Sequence, residues 1–213
     1  ESWLDVGGTW FASLLARYAP GGIWQGAVRA SGDHARGGRL RDALARYATE
    51  QALGCFSAAS LALLLFAVGP LTHPALIVGV AFVAIAAALS PRALTRFGAM
   101  ATWPLAAVGW TFVAHLLMAF GFSAFVASVA PVDSVDLPLN ARAFLVAGLA
   151  GVLAVFVPAG LGVREGVLAW LLAPRLGIAI AVAIALAARV GLLACELAAW
   201  GLWAMARHRE ARP

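Results

Sequence analysis

Between Ile178 and Met205 the only charged side chains are Arg189 and Glu196. A helix needs roughly 20 apolar residues to cross about 30 Å of hydrocarbon, and this stretch exceeds that. Backbone groups in lipid must satisfy one another, so such a run folds as a helix and dictates the solvent for the rest of the chain. Composition agrees: 63% of the 213 residues are hydrophobic and 12% charged, with a mean hydropathy of +0.90. Soluble domains carry about 25% charge. The expected fold class is an all-α polytopic membrane protein forming a single domain over residues 1–213.

Four full spans are expected: Ala48 to Val68, Pro74 to Leu89, Trp103 to Val129 and Ile178 to Met205. Net charge is +5, which in a soluble protein would raise nucleic acid as a partner. Here the arginines crowd short loops, where they read as topology signals and contacts to anionic headgroups, with no nucleic acid expected. Arg29, Arg36, Arg39, Arg41 and Arg46 share one loop, Arg92 and Arg96 another, and Arg207, Arg209 and Arg212 the tail. By the positive-inside bias the basic loop 29–46 and the C-terminal tail are cytoplasmic, and Val132 to Asn140, with Asp133 and Asp136, faces out.

Two Pro/Gly knots interrupt the apolar pattern: Tyr18-Ala-Pro-Gly-Gly-Ile-Trp24 and Phe156-Val-Pro-Ala-Gly-Leu-Gly162. The helical runs around them are short. Thr9 to Ala19 and Ile23 to Val28 cannot cross. Val163 to Ala173 covers only about 16 Å at 1.5 Å per residue. Residues 142–174 must leave and return to one side, by two crossings or by a dip. The favoured reading is two re-entrant helical hairpins, about 9–28 and about 142–174, inserted from opposite sides. Three spans separate them, an odd number, which inverts the second copy and makes an inverted repeat around a midplane site. The plainer reading is two coincident kinks, since Pro and Gly are common in membrane helices.

Charge beside these breaks is costly, about 2.5–3.5 kcal/mol per Arg or Asp at a helix centre on insertion scales. Arg164 and Glu165 follow the second knot, Arg17 and Arg29 flank the first, and Glu50 with Gln51 opens the first full span. Arg189 and Glu196 lie seven residues apart on one face of the last span. A helix restarting after Pro/Gly offers free N–H groups and its positive dipole end, and a nearby arginine adds bidentate recognition of phosphate. The roles expected are these. Arg164 and Arg189 hold a phosphate; Glu165 and Glu196 orient them or meet a cationic part of the headgroup. Gly21, Gly22, Gly160 and Gly162, beside Pro20 and Pro158, let backbone approach closely. Trp24 and Trp170 stand near enough to line a cavity, with packing the plainer role. The competing reading is structural: Arg189–Glu165 and Arg164–Glu196 as ion pairs locking helices together.

The remaining residues suggest little chemistry. His34, His73, His115 and His208 are scattered and Cys55 and Cys195 lie in apolar runs, so no metal, disulfide framework or cofactor is expected. His115 within a span fits either a proton relay or a hydrogen bond to a neighbouring helix. No catalytic residue is assigned.

"RYAPGGIWQ" (Arg17 to Gln25), Glu50 opening the next span, "VPAGLGVREG" (Val157 to Gly166) and Arg189 in the last span together resemble the lysylphosphatidylglycerol synthase transmembrane region family. It is also described as a flippase-domain family of bacterial and archaeal membrane proteins. The PxGxGxRE element is the most specific part of this resemblance, which runs from about Thr9 onward. It implies a lipid translocase in the cell (cytoplasmic) membrane, a bacterial inner membrane included, that moves an anionic or aminoacylated phospholipid or related lipid-phosphate. It also implies one or two spans ahead of the first knot. The chain opens on Glu1 with no signal-peptide pattern, so residues before Glu1 are expected to be missing. The family's aminoacyltransferase domain is not in this sequence, and no Walker motif is present, so synthase activity and ATP hydrolysis are not expected of it. Glu50, Glu165 and Glu196 are candidates for proton coupling. Membrane lipids are the expected partners; a homodimer or a separate lipid-modifying enzyme stays open. The alternatives are an intramembrane enzyme or accessory subunit acting on lipid-linked sugars or phosphates, and a purely structural subunit whose buried charges cancel.

Overall fold

A computed structural model describes residues 3–19, 24–67, 105–131, 136–154 and 156–210. Within them the chain forms helices α1 (Trp3–Ala16), α2 (Trp24–Ala35), α3 (Leu40–Ala67), α4 (Leu105–Val129), α5 (Asp136–Leu153), α6 (Val163–Leu176) and α7 (Ile178–Glu210), with a 3₁₀ turn at Pro158–Gly160. The expected span at 74–89, the arginines Arg92, Arg96 and Arg212, and Pro20, Gly21 and Gly22 of the first knot lie outside the described residues.

Four of these helices are long and apolar enough to cross a membrane: α3, α4, α5 and α7. Three answer to expected spans. The fourth, α5, corrects the sequence reading, which placed residues 132–140 in an outward loop and began a hairpin arm at 142. The helix starts at Asp136 and takes Pro138 into its first turn, where a missing N–H costs nothing because that group has no intrahelical acceptor. Its 18 residues reach about 27 Å. The basic loop 29–46 is also corrected: Arg29 belongs to α2, Arg41 and Arg46 to α3, and only a short turn around Gly37 (φ 87°) separates them.

The core forms around α5, whose residues Ala141 to Ala147 are buried on every side. It packs against α3, α4 and α6. Alanines at 141, 143 and 147 let these helices approach, as small residues do where lipid supplies no hydrophobic drive. Phe144 stacks on Phe122 of α4 with centroids 5.0 Å apart, and Ser123 donates to the Leu137 carbonyl at 2.8 Å. The buried Arg142 guanidinium lies 4.1 Å above the Phe66 ring of α3. By contrast α7 turns much of its surface outward, with Val190 66% and Leu202 65% exposed. An apolar outer surface is what a hydrocarbon solvent selects.

Two antiparallel hairpins complete the structure, the first of two short arms and the second of membrane-length α5 and short α6. In the first, α1 lies along α2: Ser13 accepts from Arg29 Nε at 2.9 Å and Thr9 accepts from Arg36 Nη1 at 2.8 Å. In the second, α6 returns along α5, from the Gly151–Arg164 contact near the break to the Asp136–Arg175 ion pair at the far end. Helix α6, ended by Gly177 at φ 76°, has 14 residues, about 21 Å, still short of the membrane core. Helix α7 is the spine between the hairpins. Its first half packs on α6 and its second on α1, where Trp203 meets Phe11 at 5.7 Å.

Candidate functional site

The site is built on α7. Arg189 and Glu196, seven residues apart, face the two hairpins in turn. Glu196 takes the first: its carboxylate pairs with Arg17 and accepts from the Tyr18 hydroxyl at 3.0 Å. Arg189 takes the second: its Nε lies 3.6 Å from Glu165 Oε1 and its Nη1 donates to the Ala159 carbonyl at 3.4 Å. The guanidinium also sits 5.2 Å from the centroid of the Tyr18 ring. One arginine therefore touches a residue beside each break.

Of the two ion pairs named by the competing structural reading, Arg189–Glu165 forms; the partner of Glu196 is Arg17, not Arg164. The reason is reach across the bundle. Helix α1 runs antiparallel to the far half of α7, which brings Arg17 to the level of Glu196, while Arg164 leaves α6 toward α5. There its guanidinium rests 4.9 Å from the Phe144 ring centroid. Among the described residues Arg164 forms no hydrogen bond or ion pair.

Glu165 also has a partner that the sequence reading did not name. Its Oε2 accepts from the Gly162 N–H at 2.7 Å, so the positive end of α6 is filled by the chain's own carboxylate, as at many helix starts. One of the free N–H groups expected at that end is therefore taken from within the chain. The glycine reading changes too. Gly160, at φ 64°, lies so near α5 that a Cβ would fall 2.7 Å from the Gly151 Cα. Its close approach is to the chain's own backbone. Gly162 at φ 82° and Ala159 at φ 49° complete the left-handed turn after Pro158, a conformation glycine adopts at no cost and alanine does not.

Glu50 joins the first hairpin to α3: Arg29 Nη1 donates to both carboxylate oxygens, at 3.1 and 2.8 Å. Trp24 and Trp170 turn outward, 47% and 57% exposed, and line none of the cavities described here. Tyr18 and Ser13 were not singled out by sequence. Tyr18 stood inside the quoted knot, but nothing local says that its hydroxyl reaches a residue far along the chain. Counting the cluster, Arg17, Arg29, Arg164 and Arg189 face Glu50, Glu165 and Glu196, four positive charges against three negative. Within it Arg189 Nε and Nη2, Arg17 Nε and Glu165 Oε1 are buried with no hydrogen-bond partner among the described residues.

Beside Arg164 opens a cavity of about 270 Å³ between α3, α4, α5 and α6, lined among others by Glu50, Gly54, His115, Phe144 and Gly148. A second hollow of about 760 Å³ lies between α1, α2 and the end of α7, with Arg36 and Arg207 on its wall. Comparison of the chain with protein-family models, with curated proteins and with solved structures finds no match in any of the three.

Proposed function

We propose that this protein is a lipid translocase of the kind its two knots resemble, the lysylphosphatidylglycerol synthase transmembrane region family. It would pass the headgroup of an anionic or aminoacylated phospholipid, or a related lipid-phosphate, between leaflets while the acyl chains stay in lipid. The observation that carries this reading is Arg164. Every other arginine of the cluster has a carboxylate, whereas Arg164 stands beside a cavity with no hydrogen bond or ion pair among the described residues. A guanidinium in hydrocarbon is costly, and the matching ligand is an oxyanion offering two oxygens to its planar fork, of which the phosphate diester is the membrane's own.

Two features support placing that site at depth. The arms of the first hairpin and α6 are too short to cross, as re-entrant segments are, and both breaks reach the same residue, Arg189, through Tyr18 and Ala159. Opposite insertion of the hairpins, an inverted repeat and a cytoplasmic basic turn and tail belong to this proposal. So does a cytoplasmic-membrane location.

The test is transbilayer movement of fluorescent short-chain phosphatidylglycerol in proteoliposomes. The wild type is expected to move it, and Arg164→Gln to slow it at least tenfold, the value of one charge-assisted hydrogen bond of about 1.5–3 kcal/mol. An inert wild type, or Arg164→Gln moving lipid at the wild-type rate, defeats the reading.

A further inference from the structure

The cavity beside Arg164 is made by one stripe from each of three helices. Glu50 and Gly54 on α3, His115 and Met118 on α4, and Phe144 and Gly148 on α5 are three or four residues apart, hence on one face. Its openness is owed to the two glycines. A Cβ at Gly148 would meet nothing within 4 Å, and one at Gly54 would meet only His115 Cε1, at 3.9 Å. At about 30 Å³ per water the 270 Å³ hold roughly nine.

The charged and titratable groups on this wall are Glu50 and Cys55 from α3, His115 from α4 and Arg164 from α6; α5 contributes none. Glu50 is spoken for by Arg29. His115 is anchored by its Nδ1, 2.8 Å from the Thr111 carbonyl oxygen. A carbonyl only accepts, so Nδ1 carries a proton in either charge state and Nε2 is the atom that gains or loses one. Protonation there adds a second cation to the chamber without disturbing the ring's anchor.

We propose that this chamber binds a phosphodiester anion between Arg164 and protonated His115, so that anion binding takes up a proton. The proposal rests on the headgroup reading above and adds a residue and a linkage to it. Histidine changes charge within the physiological range, and linkage is reciprocal: the anion favours the protonated ring, and acid favours the anion. Affinity therefore rises as pH falls.

The test measures binding of dihexanoyl phosphatidylglycerol to the purified chain in zwitterionic nanodiscs between pH 5.5 and 8. The charge of this diester is constant over that range, so any slope belongs to the protein. The wild type is expected to bind about tenfold tighter at pH 5.5, as one added charge-assisted bond allows. His115→Gln is expected to flatten the profile, and Gly148→Phe, which fills the chamber and alters no charge, to abolish binding at every pH. Calorimetry of the wild type at pH 6.5 in two buffers of different ionisation enthalpy is expected to show proton uptake on binding, a readout that needs no variant. A wild-type affinity flat with pH, or no proton uptake, overturns the proposal, as does a slope that persists in His115→Gln. If Arg164→Gln still abolishes binding in that case, the headgroup reading stands; if Arg164→Gln binds normally, both fall. Dimethyl phosphate is the soluble control: binding more than tenfold weaker than the lipid supports a membrane ligand, and equal binding overturns it.

Discussion

Each hairpin is a pair of antiparallel helices with a Pro/Gly knot between them in sequence and arginines beside it, although α5 is membrane-length where α1, α2 and α6 are short. The two settle their charges differently. In the first, Arg17 and Arg29 each find a carboxylate on a membrane-length helix, Glu196 on α7 and Glu50 on α3. In the second, Glu165 is divided between the Gly162 N–H and Arg189, and Arg164 is left over an aromatic ring beside a cavity. Matched charge holds a structure together. Unmatched charge in a low-dielectric surrounding is available to a ligand, and it is the second hairpin that keeps some.

This contrast can be tested by substitution. The largest effect is expected of Gly160→Leu. Its Cβ would strike the Gly151 backbone, and its φ of 64° disfavours any side chain, so the break cannot form against α5. A loss of about 3 kcal/mol or more in thermal or denaturant unfolding is expected, with the exchange protection of α6 falling first. Survival of α6 protection would show that the break is not held by that approach.

Next comes Arg17→Gln, which leaves Glu196 without its cation. Removing one member of a buried pair costs about 3–5 kcal/mol; this pair is partly exposed, at 31% and 19% for its side chains, and about 2 kcal/mol is expected. Arg164→Gln is the sharpening partner. It removes no ion pair, so its stability is expected within about 1 kcal/mol of wild type or above it, while phosphatidylglycerol transport falls. Equal destabilisation by Arg17→Gln and Arg164→Gln would erase the distinction between the hairpins.

The smallest effect belongs to the turn between α2 and α3. Arg46 and then Arg36, each donating to Asp33 at 2.6 Å, hold its carboxyl below the usual carboxylate range. Its contribution is thus complete above the ordinary value near pH 4 and is lost as pH falls through that value toward the lower folded one. The ions are largely exposed, so under about 1 kcal/mol is at stake. Asp33→Asn is expected to remove the acid sensitivity of α2 exchange protection; no change would mean that the pairing is decorative.

Much of this was readable in the chain. The runs that became α3, α4 and α7 announced themselves by length and apolarity, and the second break fell where Pro158 and its glycines stand. The Arg189–Glu165 pair was foreseen as one reading of those two charges. The start of α5 was not, because Asp136 and Pro138 read as loop residues. Each is acceptable in a first helical turn, and only packing against α3 and α4 makes the helix begin there. The partner of Glu196 was misread because Arg164 is near in sequence and Arg17 is 179 residues away.

By itself, then, the sequence determined the solvent and the breaks. Transfer of apolar surface and loss of backbone N–H groups are properties of each residue and its immediate neighbours, and they add along the chain. Only the tertiary structure decided which arginine of the described cluster goes unmatched. Pairing depends on which helix faces meet and at what height, and the packing of α1 and α6 on opposite halves of α7 sets both.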